Sequence, residues 1–218
     1  MLALILAAAA GGNPVTTPAD GTYTYVSSMN GVAIGKTAIT VKHDGSGIVL
    51  NEQGGGTFNG EQGTVNDTLT LDAGQLAPTG YTMNAVVDGR ALKMTLSFNG
   101  QDAHQTGDLA DKTYDLAADT KHFVVLDMGP FSGWFALPAQ MQAWNDAPAV
   151  AIVPAMASGI PISPDSAAKT ARPQSVPASD SAISVVTPMP FTLWFDPKTL
   201  LVDRLDFPTQ GVSVVRQT

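Results

Sequence analysis

The chain has 218 residues, 44% of them hydrophobic, which suits one β-rich domain with a substantial core. Only 14% are charged and the net charge is -8, so a phosphate backbone or an anionic membrane surface would be repelled and nucleic acid is not an expected partner. The absence of cysteine rules out disulfides, thiolate metal sites, thiol nucleophiles and a lipid-modified cysteine anchor.

Residues Met1–Ala10 are apolar without a break, and Gly11-Gly12-Asn13-Pro14 ends the run. Ala8-Ala9-Ala10 fits the small-x-small pattern of a signal peptidase site, although no Lys or Arg precedes the run. The run is too short for a membrane span, which needs about 20 apolar residues. The expectation is a signal peptide and leader over residues 1–20 and a periplasmic or secreted bacterial protein with no transmembrane segment in the mature chain. The alternative is an ordinary apolar strand or helix.

From Gly21 to Gly107 the chain is rich in glycine and reads as strands. Asn30-Gly31, Asp44-Gly45, Asn59-Gly60, Asp88-Gly89 and Asn99-Gly100 punctuate it. Such pairs accept the positive backbone angles of a type I′ turn, so the series predicts consecutive antiparallel hairpins. Thr37, Ile39 and Val41 alternate with Ala38, Thr40 and Lys42. The clearest hairpin joins Tyr81–Val87 to Ala91–Phe98, with Leu92, Met94, Leu96 and Phe98 on one face. One apolar and one polar face marks an antiparallel sheet wetted on one side. Gly54-Gly55-Gly56 lacks the Lys-Ser or Lys-Thr and following helix of a phosphate loop, and reads as a flexible turn.

His122–Met128 is too apolar for a wet face and predicts a buried strand. Phe131–Asn145 carries Phe131, Phe135, Leu137, Met141 and Trp144 at roughly helical spacing. Pro138 divides that stretch, which predicts two short helices or one kinked helix. The segment from Ala147 to Pro190 holds eight of the fifteen prolines, and about 155–181 reads as a long Pro/Ala/Ser loop between strands at Val150–Val153 and Ile183–Val186. Hairpins return at Phe191–Phe195, Leu200–Phe207 and Val212–Val215, joined by turns at Asp196-Pro197-Lys198-Thr199 and Pro208-Thr209-Gln210-Gly211. Residues 21–218 thus read as one domain.

The order of Tyr23-Thr24-Tyr25, Gly31-Val32-Ala33-Ile34-Gly35, a strand ending at Leu126-Asp127, a helical insert, and the run Leu193-Trp194-Phe195-Asp196-Pro197-Lys198-Thr199-Leu200-Leu201-Val202 resembles a group of uncharacterised bacterial secreted β-rich proteins. It is distantly similar in plan to the periplasmic lipoprotein-carrier family, over roughly residues 21–218. The resemblance implies an incomplete barrel around helical plugs, with a concave face for acyl chains. The long Pro/Ala loop departs from that plan.

No motif specifies a reaction. Ser166-Ala167-Ala168-Lys169 fits a Ser-x-x-Lys pattern, but prolines surround it and the companion motifs are absent. Ser132 lacks the glycine spacing of a nucleophile elbow. His43, His104 and His122 are far apart and read as solvated rather than as a metal trio. Asp127 reads as a helix cap, and Asn66-Asp67-Thr68 fits a glycosylation sequon.

The fold expected is therefore mainly β: a single curved antiparallel sheet or incomplete barrel with a short helical insert on its concave face. Phe131, Trp134, Phe135, Met141 and Trp144 are the candidate ligand-binding wall for a hydrophobic small molecule or lipid. Core filling is the alternative role for the same five. The function expected is non-enzymatic, without cofactor or metal: extracytoplasmic binding of a hydrophobic ligand, or a structural or interaction module meeting another envelope protein.

Overall fold

The computed structural model describes residues 15–58, 61–116, 121–127, 129–164 and 170–218. The leader at Met1–Ala10, the Asn59-Gly60 turn and the Ser166–Lys169 pattern lie outside them.

Eight strands come first: β1 (Gly21–Met29), β2 (Val32–His43), β3 (Gly47–Phe58), β4 (Glu61–Asp72), β5 (Pro78–Val87), β6 (Arg90–Phe98), β7 (Asp102–Gly107) and β8 (Lys112–Asp115). Then come β9 (His122–Val125), helix α1 (Ser132–Ala143), β10 (Ala149–Val153), a 3-10 turn at Pro154–Met156 and β11 (Ser158–Ile162). The chain ends with β12 (Ser181–Val185), β13 (Phe191–Phe195), β14 (Val202–Phe207) and β15 (Val212–Gln217).

Twelve strands form one antiparallel sheet in the order β12-β13-β14-β15-β1-β2-β3-β4-β5-β6-β7-β8, and it does not close into a barrel. The first and last strands pair in its middle, from Thr24 opposite Gln217 to Met29 opposite Val212. The chain leaves the sheet at one edge, β8, and returns at the other, β12. Everything between these edges belongs to the insert, including the three-stranded sheet β11-β10-β9. That smaller sheet is mixed, because β9 and β10 run parallel. A parallel pair needs a crossover, and α1 supplies it.

Alternation sets the inner face. Ile39 and Val41 on β2, Ile48 and Leu50 on β3, Leu69 and Leu71 on β4, Tyr81 and Met83 on β5, and Met94 and Leu96 on β6 are all buried. The intervening residues are half-buried or exposed. The turn chemistry is more varied than the Asn-Gly and Asp-Gly series implies. Asn30-Gly31 and Asp88-Gly89 have positive φ at both residues, as a type I′ turn requires. At Asp44-Gly45 and Asn99-Gly100 only the glycine does. In those two loops the Asp44 carboxylate accepts from the amides of Ser46 and Gly47, and the Asn99 side chain from those of Gln101 and Asp102. Side-chain acceptors of this kind replace the tight backbone turn.

One helix runs through the central stretch, and Pro138 lies inside it rather than dividing it. The proline removes one helical hydrogen bond. Packing on every side holds the two halves as one element: Ser132 through Met141 are all buried, and α1 reaches water only at its last two residues, Gln142 and Ala143. Its start lies hard against the end of β9, where a Cβ on Gly133 would stand 1.6 Å from the Val125 carbonyl oxygen. Within the stretch read as a long loop, the structure places the 3-10 turn and β11; residues 170–180 then pass over the outer side of β13, where Arg172 stacks 4.8 Å above the Trp194 ring. Among the described residues, no helix is long and apolar enough to cross a membrane.

Candidate functional site

The five aromatic and apolar candidates lie along α1 and just before and after it, and all are sealed, between 0% and 5% exposed. Three gather at its N-terminal end. Phe131 packs on Tyr25 with ring centroids 4.7 Å apart, and Phe135 lies 5.5 Å from Tyr23. Trp134 meets Phe191 and Phe207 edge-on, each at 5.0 Å, and its indole NH donates to the Asp127 carbonyl. Met141 and Trp144 sit at the other end, where the Trp144 indole NH donates to the Gln75 carbonyl at 2.6 Å. The Gln140 amide beside them donates to Leu76 O. The helix therefore runs from the middle of β4 to the β4–β5 turn, laid on the inner face.

Beneath its first turn lies a polar cluster. Glu52 on β3 and Asp67 on β4 stand directly opposite each other in register. They are 2% and 3% exposed. Glu52 Oε2 accepts from the amides of Phe131 and Ser132 at 2.6 and 2.7 Å, and Oε1 accepts from the Thr37 hydroxyl at 2.7 Å. Asp67 Oδ2 accepts from the hydroxyls of Ser132 and Tyr81 at 2.8 and 3.0 Å. A helix start leaves amides unbonded and carries partial positive charge, so a carboxylate there is favoured. Phe131, at the N-cap position, makes no side-chain cap. The amides at 131 and 132 go instead to a residue about eighty positions earlier, while Asp127 contributes its main-chain carbonyl to Trp134. Burial and the Asp67 charge push Glu52 up to about 8, and burial pushes Asp67 up to about 6, with the Asp127 charge adding to it. The two carboxyls titrate as a pair, so these are steps of the pair rather than properties of either residue.

The histidines have separate surroundings. His43 is bonded to Asp20 and Thr17, His104 to Thr113, and His122 stacks on Trp144 at 4.2 Å. Among the described residues, no group of three His, Asp or Glu side chains is arranged to hold a metal. Ser132 is fully buried and hydrogen-bonded to Asp67. Asn66 is exposed and lies out of phase with the inward-facing Asp67 and Leu69.

Beyond the carboxyl pair the inner face continues without the helix. Val65, Ala85 and Leu92 form a row across β4, β5 and β6, paired Val65 to Ala85 and Ala85 to Leu92. They share the phase of Leu69, Met83 and Met94 but are only half-buried. Val87 and the exposed Arg90, a register pair, stand one step farther out.

The fold has a counterpart among solved structures. The chain is similar to a beta-barrel-like protein of domain of unknown function DUF1849 from Brucella abortus, with TM-score 0.52, 10% identity, and coverage of 93% of this chain and 95% of that one. A DUF1089 family protein from Pseudomonas aeruginosa matches with TM-score 0.47, 12% identity, and coverage of 80% and 90%. No family model matches the chain, and no curated protein does. What the chain shares with the Brucella abortus protein is the fold. Neither neighbour is described as a lipoprotein carrier.

Sequence reasoning singled out the aromatic residues and missed Glu52 and Asp67. A signal was present: Glu52 follows Ile48 and Leu50 at a spacing of two, and Asp67 precedes Leu69 and Leu71 in the same way. A carboxylate in phase with an apolar row points into the core.

Proposed function

We propose that this is a non-enzymatic, extracytoplasmic protein that binds the apolar part of a lipid or similar amphiphile on the uncovered end of its concave face. The observation that carries this reading is the half-buried row Val65–Ala85–Leu92, which continues a buried apolar surface past the start of the helix. An acyl chain buries about 0.8 kcal/mol per methylene, so a short row gives real affinity without a deep cavity. Arg90, exposed farther along the same face, suits a polar head. Phe131, Trp134, Phe135, Met141 and Trp144 are then sealed core beside the row rather than its wetted wall.

The test is titration of a fluorescent fatty-acid probe. Wild type binds; Leu92→Asp weakens binding about tenfold or more, because a carboxylate then faces the chain; Lys198→Ala, in a distant turn, leaves it unchanged. A wild type that binds no probe removes the reading. In its place stands the second reading, a structural or interaction module of the envelope, which the sealing of all five aromatic and apolar candidates favours.

A further inference from the structure

We propose that Glu52 and Asp67 form a proton-dependent latch: one proton held on the pair keeps the start of α1 fastened to the sheet, and its loss to solvent loosens that end of the helix.

The geometry offers two places for the proton: Asp67 Oδ1, and Glu52 Oε1, whose neighbour Thr37 can turn its single hydroxyl hydrogen to Gln53 O at 3.3 Å and accept from the acid. Both Glu52 oxygens and Asp67 Oδ2 accept hydrogen bonds. Asp67 Oδ1 is buried with no hydrogen-bond partner. A proton on either Asp67 Oδ1 or Glu52 Oε1 turns two opposed carboxylates into a carboxylate and a neutral acid. Like charges directly opposite across strands destabilise a sheet, and burial removes the water that would screen them. Among the described residues, no Lys, Arg or His side chain forms an ion pair with either carboxyl. The groups acting most strongly on the pair are Thr37 from β2, Tyr81 from β5, the amides and hydroxyl at the start of α1, and Asp127 from the β9–α1 connection. Asp127 adds negative charge. Tyr81 is held neutral, its own ionisation pushed well up by burial and by Asp67.

The sign follows from linkage. Both carboxyls take up protons more readily folded than unfolded, so the stabilisation is fully present below the ordinary carboxylate range. It is lost as pH rises through the folded values, about 6 and about 8. Other groups can be told apart. The exposed Asp20, Asp44 and Asp196, all lowered, act only in acid. His122, lowered by burial, gains stability as pH rises, the opposite direction. Asp180, pushed up to about 6 by burial and then by Asp203, acts in the same direction but beside β12, at the far edge of the sheet.

The test compares wild type with Asp67→Asn from about pH 5.5 to about pH 9, by thermal unfolding and by hydrogen exchange of the α1 amides. Asparagine keeps an acceptor for Ser132 and Tyr81 but cannot ionise. In wild type, the melting temperature falls with pH, and α1 amides lose protection roughly tenfold or more beyond the intrinsic rate, the equivalent of one pK unit. Asp67→Asn loses the share of both effects that comes from the Asp67 proton and from its charge on Glu52, and keeps the share that comes from the burial of Glu52. A level wild-type profile, or a variant that keeps the wild-type slope, overturns the proposal. Should the variant not fold, carboxyl carbon resonances of the wild type decide. At least one of Glu52 and Asp67 titrating above the ordinary carboxylate range supports the latch; both titrating within it overturns it.

Discussion

The two ends of the concave face carry the same alternation and meet different fates. Toward the β4–β5 turn, α1 covers the inner side chains, and Leu69, Leu71 and Leu96 fall to 3% exposure or less. Toward the opposite end the same rows reach Val65, Ala85 and Leu92, which stay half-buried. The boundary is the Glu52–Asp67 pair under the first turn of α1. An apolar stripe on a strand therefore says which face is inner, but not whether anything covers it. Coverage here depends on a twelve-residue helix that begins where the carboxyls receive it.

The largest expected effect breaks the covered end outright. Gly133→Ala puts a methyl group into the Val125 carbonyl, so helix and strand must separate. A loss of about 3 kcal/mol or more, or failure to fold, is expected in urea unfolding. Trp134→Ala opens a large cavity among Phe191, Phe207 and the helix, at a cost of about 3–5 kcal/mol by the same measurement. Ser132→Ala removes one hydroxyl donor from Asp67 and should cost about 1–2 kcal/mol, measured at about pH 7. Leu92→Ser, at the uncovered end, should change stability by no more than about 1 kcal/mol, because the side chain is already partly in water. If Leu92→Ser proves as costly as Trp134→Ala, the two ends are not different and the uncovered row is ordinary core.

Legibility varied with the range of the interaction. The hairpins of β1–β6 were readable because alternation and turn residues act between neighbours in sequence. The strand at His122–Val125 was readable as buried, but not its parallel pairing with β10, which involves residues on the far side of α1. The helix was placed within two residues, and of the two outcomes that Pro138 allowed, two short helices or one kinked helix, the structure has one helix with the proline inside it. The cap was assigned by proximity to Asp127, whereas the amides of Phe131 and Ser132 are met by Glu52 on a distant strand.

By itself the sequence determined a mainly antiparallel β protein with one aromatic, helical insert, since periodicity and turn chemistry are local consequences of side-chain size, branching and backbone freedom. Only the tertiary structure decided that the first and last strands meet in mid-sheet, that the insert bridges the two edges, and that two acidic side chains lie buried against a helix start. Those outcomes depend on which surfaces meet and which amides need acceptors, and residues far apart in the chain supply both.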